Sequence, residues 1–325
     1  MKLHNNKSLY RDAIQFTAQY MQLQPEYIEK DYWVCYALQL IYSSEFKDDV
    51  IFKGGTALSK CYQIIERFSE DIDLVLLREG NESGNQLKRK LKNVTKILKE
   101  PFREQEEKGI TNKMGMIRKI AYNYPKAFKG EFGQIRDIII LEASWLGNFE
   151  PYSTKQVSSY IYEMMIAKGQ QELVSAYDMS PFKVIVLDVR LTLCEKIMSI
   201  TRFSHTKNPI VDLRNKIRHF YDIHKLLILD DVSQFFESED FEKMLLSVAE
   251  DDVLSFKNEN EWLEKHPMNA IIFKASEEVW GKLSTTYTND FRNLVYGELP
   301  DENDILKSLK KVSNRLKSVK WNIKV

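Results

Sequence analysis

The spacing of hydrophobic and polar residues changes several times along the first third of the chain, and each change predicts a new element. Residues 8–42 carry apolar side chains at helical spacing, and Pro25 lies where a second helix would begin. The short apolar runs 49–53 and 71–77 have the length and composition of strands, and the segment 56–67 between them returns to helical spacing. This part of the chain is therefore predicted to alternate between helix and strand.

The remainder of the chain divides into a mixed part and a helical part. An apolar stripe on a basic background predicts a helix over residues 85–105, and alternating or apolar runs predict four more strands, over residues 114–124, 135–145, 156–163 and 182–187. Nearly everything after residue 189 has helical spacing. We therefore predict a bilobed α/β (α+β) protein, with a mixed sheet and N-terminal helices in residues 1–188 and a helical domain in residues 189–325.

Composition narrows the class of protein. The chain of 325 residues is 43% hydrophobic, which is ample for one or two folded domains and excludes global disorder. It carries 47 basic and 47 acidic residues, so its formal net charge is zero and any contact with nucleic acid has to come from a local patch. No apolar run has the length of a membrane span or a signal peptide, and the three widely spaced cysteines form no CxxC pair. These features predict a cytoplasmic protein with reduced thiols and no membrane partner.

Two aspartates in the second predicted strand are the first candidates for chemistry. Side chains at positions i and i+2 of a strand point to the same face, so Asp71 and Asp73 aim together while Ile72 and Leu74 face a core. Neighbouring carboxylates repel each other unless a cation lies between them, and hard oxygen ligands favour Mg²⁺ or Mn²⁺. The alternative interpretation is a pair of solvated charges near the start of a strand.

The segment Gly54-Gly55-Thr56 connects the first predicted strand to the helix that follows. Glycine permits a sharp turn and the close approach of a ligand, Thr56 can cap the helix, and the N–H groups of a helix start bind phosphate. A plain turn is the alternative, and the chain contains neither a GxxxxGK[ST] nor a GxGxxG motif. Together with the two aspartates, the turn predicts a site for a metal–triphosphate complex, suited to phosphoryl or nucleotidyl transfer.

The segments around these residues resemble a known family. Phe-Lys-Gly-Gly-Thr-Ala-Leu-Ser-Lys at 52–60, followed by Arg-Phe-Ser-Glu-Asp-Ile-Asp-Leu at 67–74, is similar to the AbiEii/MenT-type nucleotidyltransferase toxins of the polymerase-β-like nucleotidyltransferase superfamily. Shorter stretches at 29–33, 192–196 and 218–222 resemble the same family, in the same order along the chain. The resemblance implies a polymerase-β-like sheet, an NTP substrate and two Mg²⁺ ions.

The resemblance also implies roles for individual residues. Asp71 and Asp73 would ligate the metals, Lys196 would contact the nucleotide phosphates, and Asp222 would complete the site from the helical lobe. The triphosphate would be held by residues of the two longer motif segments, namely Lys53, Gly54, Gly55, Thr56, Arg67 and Ser69.

A third carboxylate is expected on a neighbouring strand in this superfamily. Glu142 is the best candidate for a catalytic, metal-binding residue, because a carboxylate among apolar strand residues is costly to bury without a partner. Asp137 is a weaker competitor, and an outward-facing Glu142 is the alternative. The alternative interpretation of Lys196, which follows Glu195, is an ordinary surface charge on a helix. His219 stands where the family often has an aspartate, so we expect it to be structural.

Two basic stripes bear on the acceptor. Lysines and arginines recur without any acidic residue over positions 85–99 and again over positions 305–325. A solvated helix face is the default interpretation of either stripe. The sharper hypothesis is that one of them holds an RNA backbone.

These observations predict a metal-dependent enzyme that transfers NMP from an NTP to an acceptor hydroxyl and releases pyrophosphate. The family resemblance implies that the acceptor is the 3′ end of a tRNA or another RNA. It also implies that the protein is the toxin of an abortive-infection type pair with a cognate antitoxin. Two alternatives stay open: an enzyme that nucleotidylates protein hydroxyls, and a non-catalytic NTP-binding regulator.

Overall fold

The computed structural model describes residues 1–128, 136–256 and 259–325, which fall into two compact units. The first unit consists of Met1–Gln63, Phe68–Trp145 and Tyr152–Val186. The second unit consists of Ile64–Arg67, Leu146–Pro151 and Leu187–Val325. Two short segments from the first half of the sequence therefore belong to the second unit. The domain boundary at residue 188 stays a prediction.

The first unit contains a mixed sheet of seven strands. In chain order the strands are β1 (Val50–Lys53), β2 (Ile72–Leu76), β3 (Arg103–Gln105), β4 (Ile117–Asn123), β5 (Ile139–Ser144), β6 (Tyr152–Val157) and β7 (Phe182–Leu187). Their spatial order is β3-β4-β5-β2-β1-β7-β6. Strand β1 pairs antiparallel with β2 and parallel with β7, while β5 pairs parallel with β2 and antiparallel with β4. The predicted mixed sheet is confirmed.

The helices of the first unit lie before, between and after these strands in the sequence. They are α1 (Lys7–Met21), α2 (Pro25–Tyr42), α3 (Gly54–Lys60), α4 (Gly84–Thr95), α5 (Tyr160–Ala167) and α6 (Gln171–Ala176). Helix α1 begins where the Asn6 side chain accepts a hydrogen bond from the amide of Leu9, and α2 begins at Pro25, which needs no amide donor there. Helix α4 begins with a capping box between Ser83 and Gln86.

The second unit is helical, as predicted. Its helices are α7 (Val189–Phe203), α8 (Pro209–Asn215), α9 (Ile217–Leu227), α10 (Asp230–Glu237), α11 (Glu239–Ser255), α12 (Ile271–Lys274), α13 (Ser276–Thr285) and α14 (Glu302–Leu316), with short 3₁₀ and π-helical turns between them. Helix α7 begins after Asp188, whose side chain accepts from the amide of Arg190. Aromatic side chains such as Phe220, Trp280 and Tyr287 fill its core.

Three predicted elements differ from the structure. The predicted helix over 85–105 ends at Thr95, since Pro101 cannot continue a helix and Arg103–Gln105 pairs with β4 instead. The helix predicted over 56–67 ends at Lys60. The strand predicted over 156–163 is wrong beyond Val157, because Ser159 caps α5 by accepting from the amide of Tyr162. Residue 135, the first of another predicted strand, lies outside the described residues.

Among the described residues, no helix combines the length and the apolar content that crossing a bilayer requires.

Candidate active site

A row of four charged side chains crosses four adjacent strands of the sheet. Lys53 of β1 is the register partner of Asp73 of β2, which in turn is the register partner of Glu142 of β5. Lys119 of β4 stands opposite Glu142, and its Nζ lies 2.8 Å from the Glu142 Oε2. Because register partners on neighbouring strands point to the same face, all four side chains share one face of the sheet. The charges along the row run positive, negative, negative, positive.

Asp73 carries more negative charge around it than the two lysines offset. Burial, followed by the charges on Glu142 and Asp71, raises the pKa of Asp73 to about 7. The positive charges of Lys53 and Lys119 oppose this rise without cancelling it. A cation at this position would relieve the repulsion and keep the carboxylate ionised.

Asp71 lies one residue before β2, two residues from Asp73, as the strand periodicity predicts. Its Oδ1 is buried and accepts no hydrogen bond from any described residue. Its Oδ2 is 4.0 Å from the Arg136 guanidinium. A buried carboxylate oxygen without a donor is unfavourable, so Asp71 has one oxygen available to a ligand or an ion.

The diglycine turn touches the carboxylate of Asp73. Gly54 has a φ of +78°, a conformation that side chains other than that of glycine rarely adopt. A Cβ atom at this position would lie 2.2 Å from the Asp73 Oδ2, a distance that no real Cβ tolerates. Gly55 follows in the first turn of α3. The structure therefore brings the turn and the carboxylate together, as the sequence pattern predicted.

Thr56 ties the turn to the start of β2. Its buried hydroxyl donates to the backbone carbonyl of Asp71 at 2.6 Å, and its Oγ1 lies 3.0 Å from the Ser69 Oγ. The Thr56 hydroxyl thus holds Asp71 in place, while direct contact of Thr56 and Ser69 with a triphosphate stays a prediction.

The carboxylates fit a divalent ion that a substrate helps to hold. No group of three or more histidine, cysteine, aspartate or glutamate side chains forms a metal-binding cluster in the part of the chain that the structure describes. Mg²⁺ does not need such a cluster, since proteins usually bind it through one or two carboxylates together with substrate phosphates and water. The unpartnered Oδ1 of Asp71 and the excess negative charge at Asp73 meet that requirement.

Three predicted site residues meet in the second unit. Asp222 is fully buried, and both of its oxygens are engaged by Arg67, at 2.7 Å each. Lys196 donates to the Oδ2 of the same carboxylate at 2.6 Å. Burial by itself would raise the pKa of Asp222, but the two cations and their hydrogen bonds lower it well below its usual value. Whether these residues act together with Asp71 stays a prediction.

Two other residues from the sequence analysis have different surroundings. Asp137 is largely exposed and accepts a hydrogen bond from Lys126 at 2.8 Å, and it takes no part in the charged row. Burial, followed by the charge on Lys196, lowers the pKa of His219 well below its usual value, so His219 is neutral near pH 7.

Sequence reasoning missed the charges that support the site from α2. Lys30 is completely buried, lies 3.7 Å from Glu70, and donates to the backbone carbonyl of Arg136. Glu70 directly precedes Asp71, and Arg136 approaches the Asp71 carboxylate, so Lys30 braces both neighbours of Asp71. The available signal was Glu29-Lys30-Asp31, three consecutive charged residues in a helix whose other residues are mostly apolar.

The other two charges of this helix segment are also buried and paired. Glu29 accepts a hydrogen bond from the amide of Ala127 at 2.6 Å. Asp31 pairs with Lys60 at the end of α3 and accepts from the amide of Tyr160 at 2.7 Å. One turn of α2 therefore anchors three separate connections of the first unit. Lys119, which pairs with Glu142, was missed because only strand register reveals it.

Comparison with known proteins gives the chain a family. The family described as "Nucleotidyl transferase AbiEii toxin, Type IV TA system" matches residues 37–311, which is most of the chain. No curated protein gives a significant match. Among solved structures, the chain is similar to MenT4, a nucleotidyltransferase toxin from Mycobacterium tuberculosis H37Rv, at 15% identity and a TM-score of 0.47, over 94% of this chain and 98% of that one. The family assignment rests on the sequence match: the chain belongs to the AbiEii family of nucleotidyltransferase toxins of type IV toxin–antitoxin systems.

Proposed function

We propose that this nucleotidyltransferase transfers NMP from an NTP to the 3′ end of a tRNA or another RNA, and that it requires Mg²⁺ or Mn²⁺. The observation that carries the proposal is the Asp73 carboxylate, which lies against the Gly54 turn and beside the carboxylates of Glu142 and Asp71. Family membership supports nucleotidyl chemistry and a toxin role. A cytoplasmic location and neutralisation by a cognate antitoxin are parts of the same proposal.

The carboxylates take the metal-binding role. Asp71 and Asp73 would hold the ion, which would supply positive charge for the phosphates and for the acceptor oxygen. Glu142 is the third carboxylate, and Lys119 fixes its orientation through their 2.8 Å ion pair. Thr56 keeps the backbone of Asp71 in place through its hydrogen bond to the Asp71 carbonyl.

The phosphate-binding role falls to the turn and to cations. The glycine turn lets the backbone come close to a triphosphate, and Lys53 and Ser69 are nearby polar groups of the same unit. We assign Asp222 to holding Arg67 and Lys196 rather than to binding a metal, because these two cations already occupy both of its oxygens. Arg67 and Lys196 together carry one positive charge more than the Asp222 carboxylate neutralises, and we propose that this excess charge interacts with the phosphates.

The proposed reaction exchanges a phosphoanhydride bond for a phosphodiester bond. The acceptor oxygen forms a bond to the α-phosphorus of the NTP, and the bond from this phosphorus to the bridging oxygen of the pyrophosphate breaks. The hydroxyl proton leaves to solvent or to a carboxylate, and pyrophosphate departs with the electron pair of the broken bond. Catalysis then depends on positioning and charge stabilisation.

The test is label transfer. The protein is incubated with each α-labelled NTP and Mg²⁺, together with tRNA or with cell-lysate protein. We expect label in RNA, lost on addition of a chelator and in Asp71→Ala and Asp73→Ala. Asp137→Ala, an exposed aspartate outside the charged row, is the matched control and should keep full transfer.

Other outcomes separate the alternatives. Label in protein alone would support protein nucleotidylation, and bound NTP without transfer would support a regulator. Transfer that survives in Asp73→Ala would refute the metal assignment.

A further inference from the structure

We infer that the exposed face of α4 binds the phosphodiester backbone of the RNA acceptor. The inference rests on the proposed function, since it supplies the binding surface for that acceptor. The surface consists of five cations on α4 and directly after it, which we call the α4 basic face: Lys88, Arg89 and Lys92 in the helix, Lys96 at its C-cap, and Lys99 beyond it.

The α4 basic face is exposed, and its charges are not neutralised. All five side chains are exposed, and within residues 1–128, 136–256 and 259–325 none of them forms an ion pair or a side-chain hydrogen bond. Lys90 on the same helix is different, because its Nζ lies 2.6 Å from the Asp49 carboxylate. On a chain with zero formal net charge, such a concentration of unpaired positive charge creates a local attraction for a polyanion.

The spacing of these charges favours a nucleic acid over an acidic protein. Lys88 and Lys92 lie about 6 Å apart on one side of the helix, and Lys96 follows after another four residues, at the C-cap. Regularly spaced cations match the phosphates of a strand, which repeat along its whole length, whereas acidic side chains on a protein surface repeat only where the sequence of that protein places them. The opposite side of α4 carries Leu87 and Leu91, which are buried and hold the helix on the sheet.

The helical part of the second basic stripe does not offer comparable charge. On α14, Lys307 lies 2.8 Å from Asp304, Lys311 lies 3.5 Å from Glu237, and Lys310 pairs with Glu277. Acidic partners therefore offset the lysines of α14. The structure thus distinguishes two stripes that look alike in the sequence.

The position of α4 specifies what kind of RNA can use it. Arg118 and Tyr122 of β4 both donate hydrogen bonds to Thr95, so α4 covers their face of the sheet. Lys119 lies between them in the strand and points to the other face, where it pairs with Glu142. An RNA that contacts both α4 and the carboxylates has to reach around the sheet. The α4 basic face therefore binds the body of a folded RNA and not its reacting end.

The test compares two sets of charge removals in the complete protein. The first replaces Lys88, Arg89, Lys92 and Lys96 by glutamine. The matched control replaces Lys307, Lys310 and Lys311 of α14 by glutamine. Binding of full-length tRNA is measured without NTP at several salt concentrations, and KM for tRNA is compared with KM for a short oligonucleotide that has the same 3′ end.

We expect the α4 variant to lower the salt slope of tRNA binding by about 3, close to one per phosphate contact removed. Its KM for tRNA should rise about tenfold or more, and by clearly less for the short oligonucleotide. The α14 control should change neither value. An unchanged salt slope in the α4 variant would overturn the inference and leave an acidic protein as the counterpart of this face. If the unmodified protein labels RNA and the α4 variant does not differ, only this inference fails, whereas absence of labelled RNA refutes the proposed function.

Discussion

At the scale of single residues, the charge around Asp73 is the most informative feature of this protein. Three carboxylates, those of Asp71, Asp73 and Glu142, lie close together, and only two lysines of the charged row lie near them. The repulsion between these carboxylates lowers the stability of a protein without its ion. Binding of the ion to the folded state raises the stability again. The metal-free protein should therefore be strained at this point in a way that depends on pH.

Replacing Asp73 by asparagine should reveal this cost. The folded carboxyl keeps its proton up to about pH 7, whereas the unfolded one loses it near pH 4, so ionisation of Asp73 lowers stability as the pH rises through this window. In a chelating buffer we expect Asp73→Asn to be neutral near pH 4 and to stabilise the protein by about 4 kcal/mol above pH 7, since each unit of the raised pKa is worth about 1.4 kcal/mol. Adding Mg²⁺ should raise the melting temperature of the unmodified protein only. Equal effects of the substitution at both pH values would contradict this account of Asp73.

Gly54 allows a second test at the same scale. Alanine at this position would place its Cβ 2.2 Å from the Asp73 Oδ2 and would also have to adopt a positive φ. We expect Gly54→Ala to destabilise the protein by about 2 kcal/mol and to abolish transfer. Gly80→Ala is the control, since Gly80 has a φ of +81° but, its chain neighbours aside, no heavy atom of a described residue lies within 4 Å of the position that its Cβ would take. If both variants kept transfer, the contact between the turn and Asp73 would be unimportant.

At the scale of elements, α2 acts as the internal support of the first unit. It carries three adjacent buried charges, Glu29, Lys30 and Asp31, each with partners on a different part of the chain. A buried ion pair contributes little net stability by comparison with apolar residues, but loss of one partner is costly. The segment therefore fixes where the connections around Asp71 lie more than it adds to the total stability.

Lys30→Met should show this dependence. The substitution keeps the apolar stem and removes the charge that faces Glu70, so we expect a loss of about 3 kcal/mol in the free energy of unfolding. Chemical denaturation provides the measurement. Lys7→Met, an exposed lysine on α1, should change the same quantity by less than about 0.5 kcal/mol. Similar results for both would mean that the Lys30 charge is not important for folding.

At the scale of the whole molecule, the chain builds its second unit from distant segments. Arg67 and Asp222 are 155 residues apart in the sequence and form a buried two-point ion pair. The same segment contributes the Glu66 carbonyl, which accepts from the amide of Tyr296 at 3.0 Å. Residues 64–67 therefore belong to the fold of the helical unit, although they lie next to the motif of the first unit in sequence.

Arg67→Met should destabilise the second unit, and most strongly at neutral pH. Loss of one cation leaves Asp222 with Lys196 alone, and we expect a cost of about 3 kcal/mol. The lowered pKa of Asp222 contributes stability above about pH 4 that the unmodified protein loses as the pH falls, so the cost of the substitution should be largest near pH 7 and smaller near pH 3. Thermal unfolding between pH 3 and 7 would measure both effects. Arg103→Met, at a side chain that is 80% exposed, should leave this acid profile unchanged.

Much of the fold was predictable because the spacing of apolar residues along the chain indicates which side chains are buried. The strands β1, β2 and β5 and the long helices follow from the spacing of residues such as Phe52, Leu74 and Leu141. Element ends were less predictable: the short run at 156–163 fits a strand or a helix, and a capping serine at 159 decides between them. In the site, strand periodicity predicted that Asp71 and Asp73 lie together, because that geometry is local, whereas the contact between Gly54 and Asp73 depends on the pairing of β1 with β2.

The amino-acid sequence was enough to predict which functional groups are present: two carboxylates on one strand face, a glycine turn that leads into a helix, and two basic stripes. Only the tertiary structure decided which charges meet. Register between β4, β5, β2 and β1 built the charged row. Packing gave Asp222 its two cations and left the α4 basic face without an acidic partner among the residues that the structure describes. The physical reason is range. Periodicity and turn geometry act within a few residues, whereas pairing and burial of charge depend on segments that are far apart in the sequence.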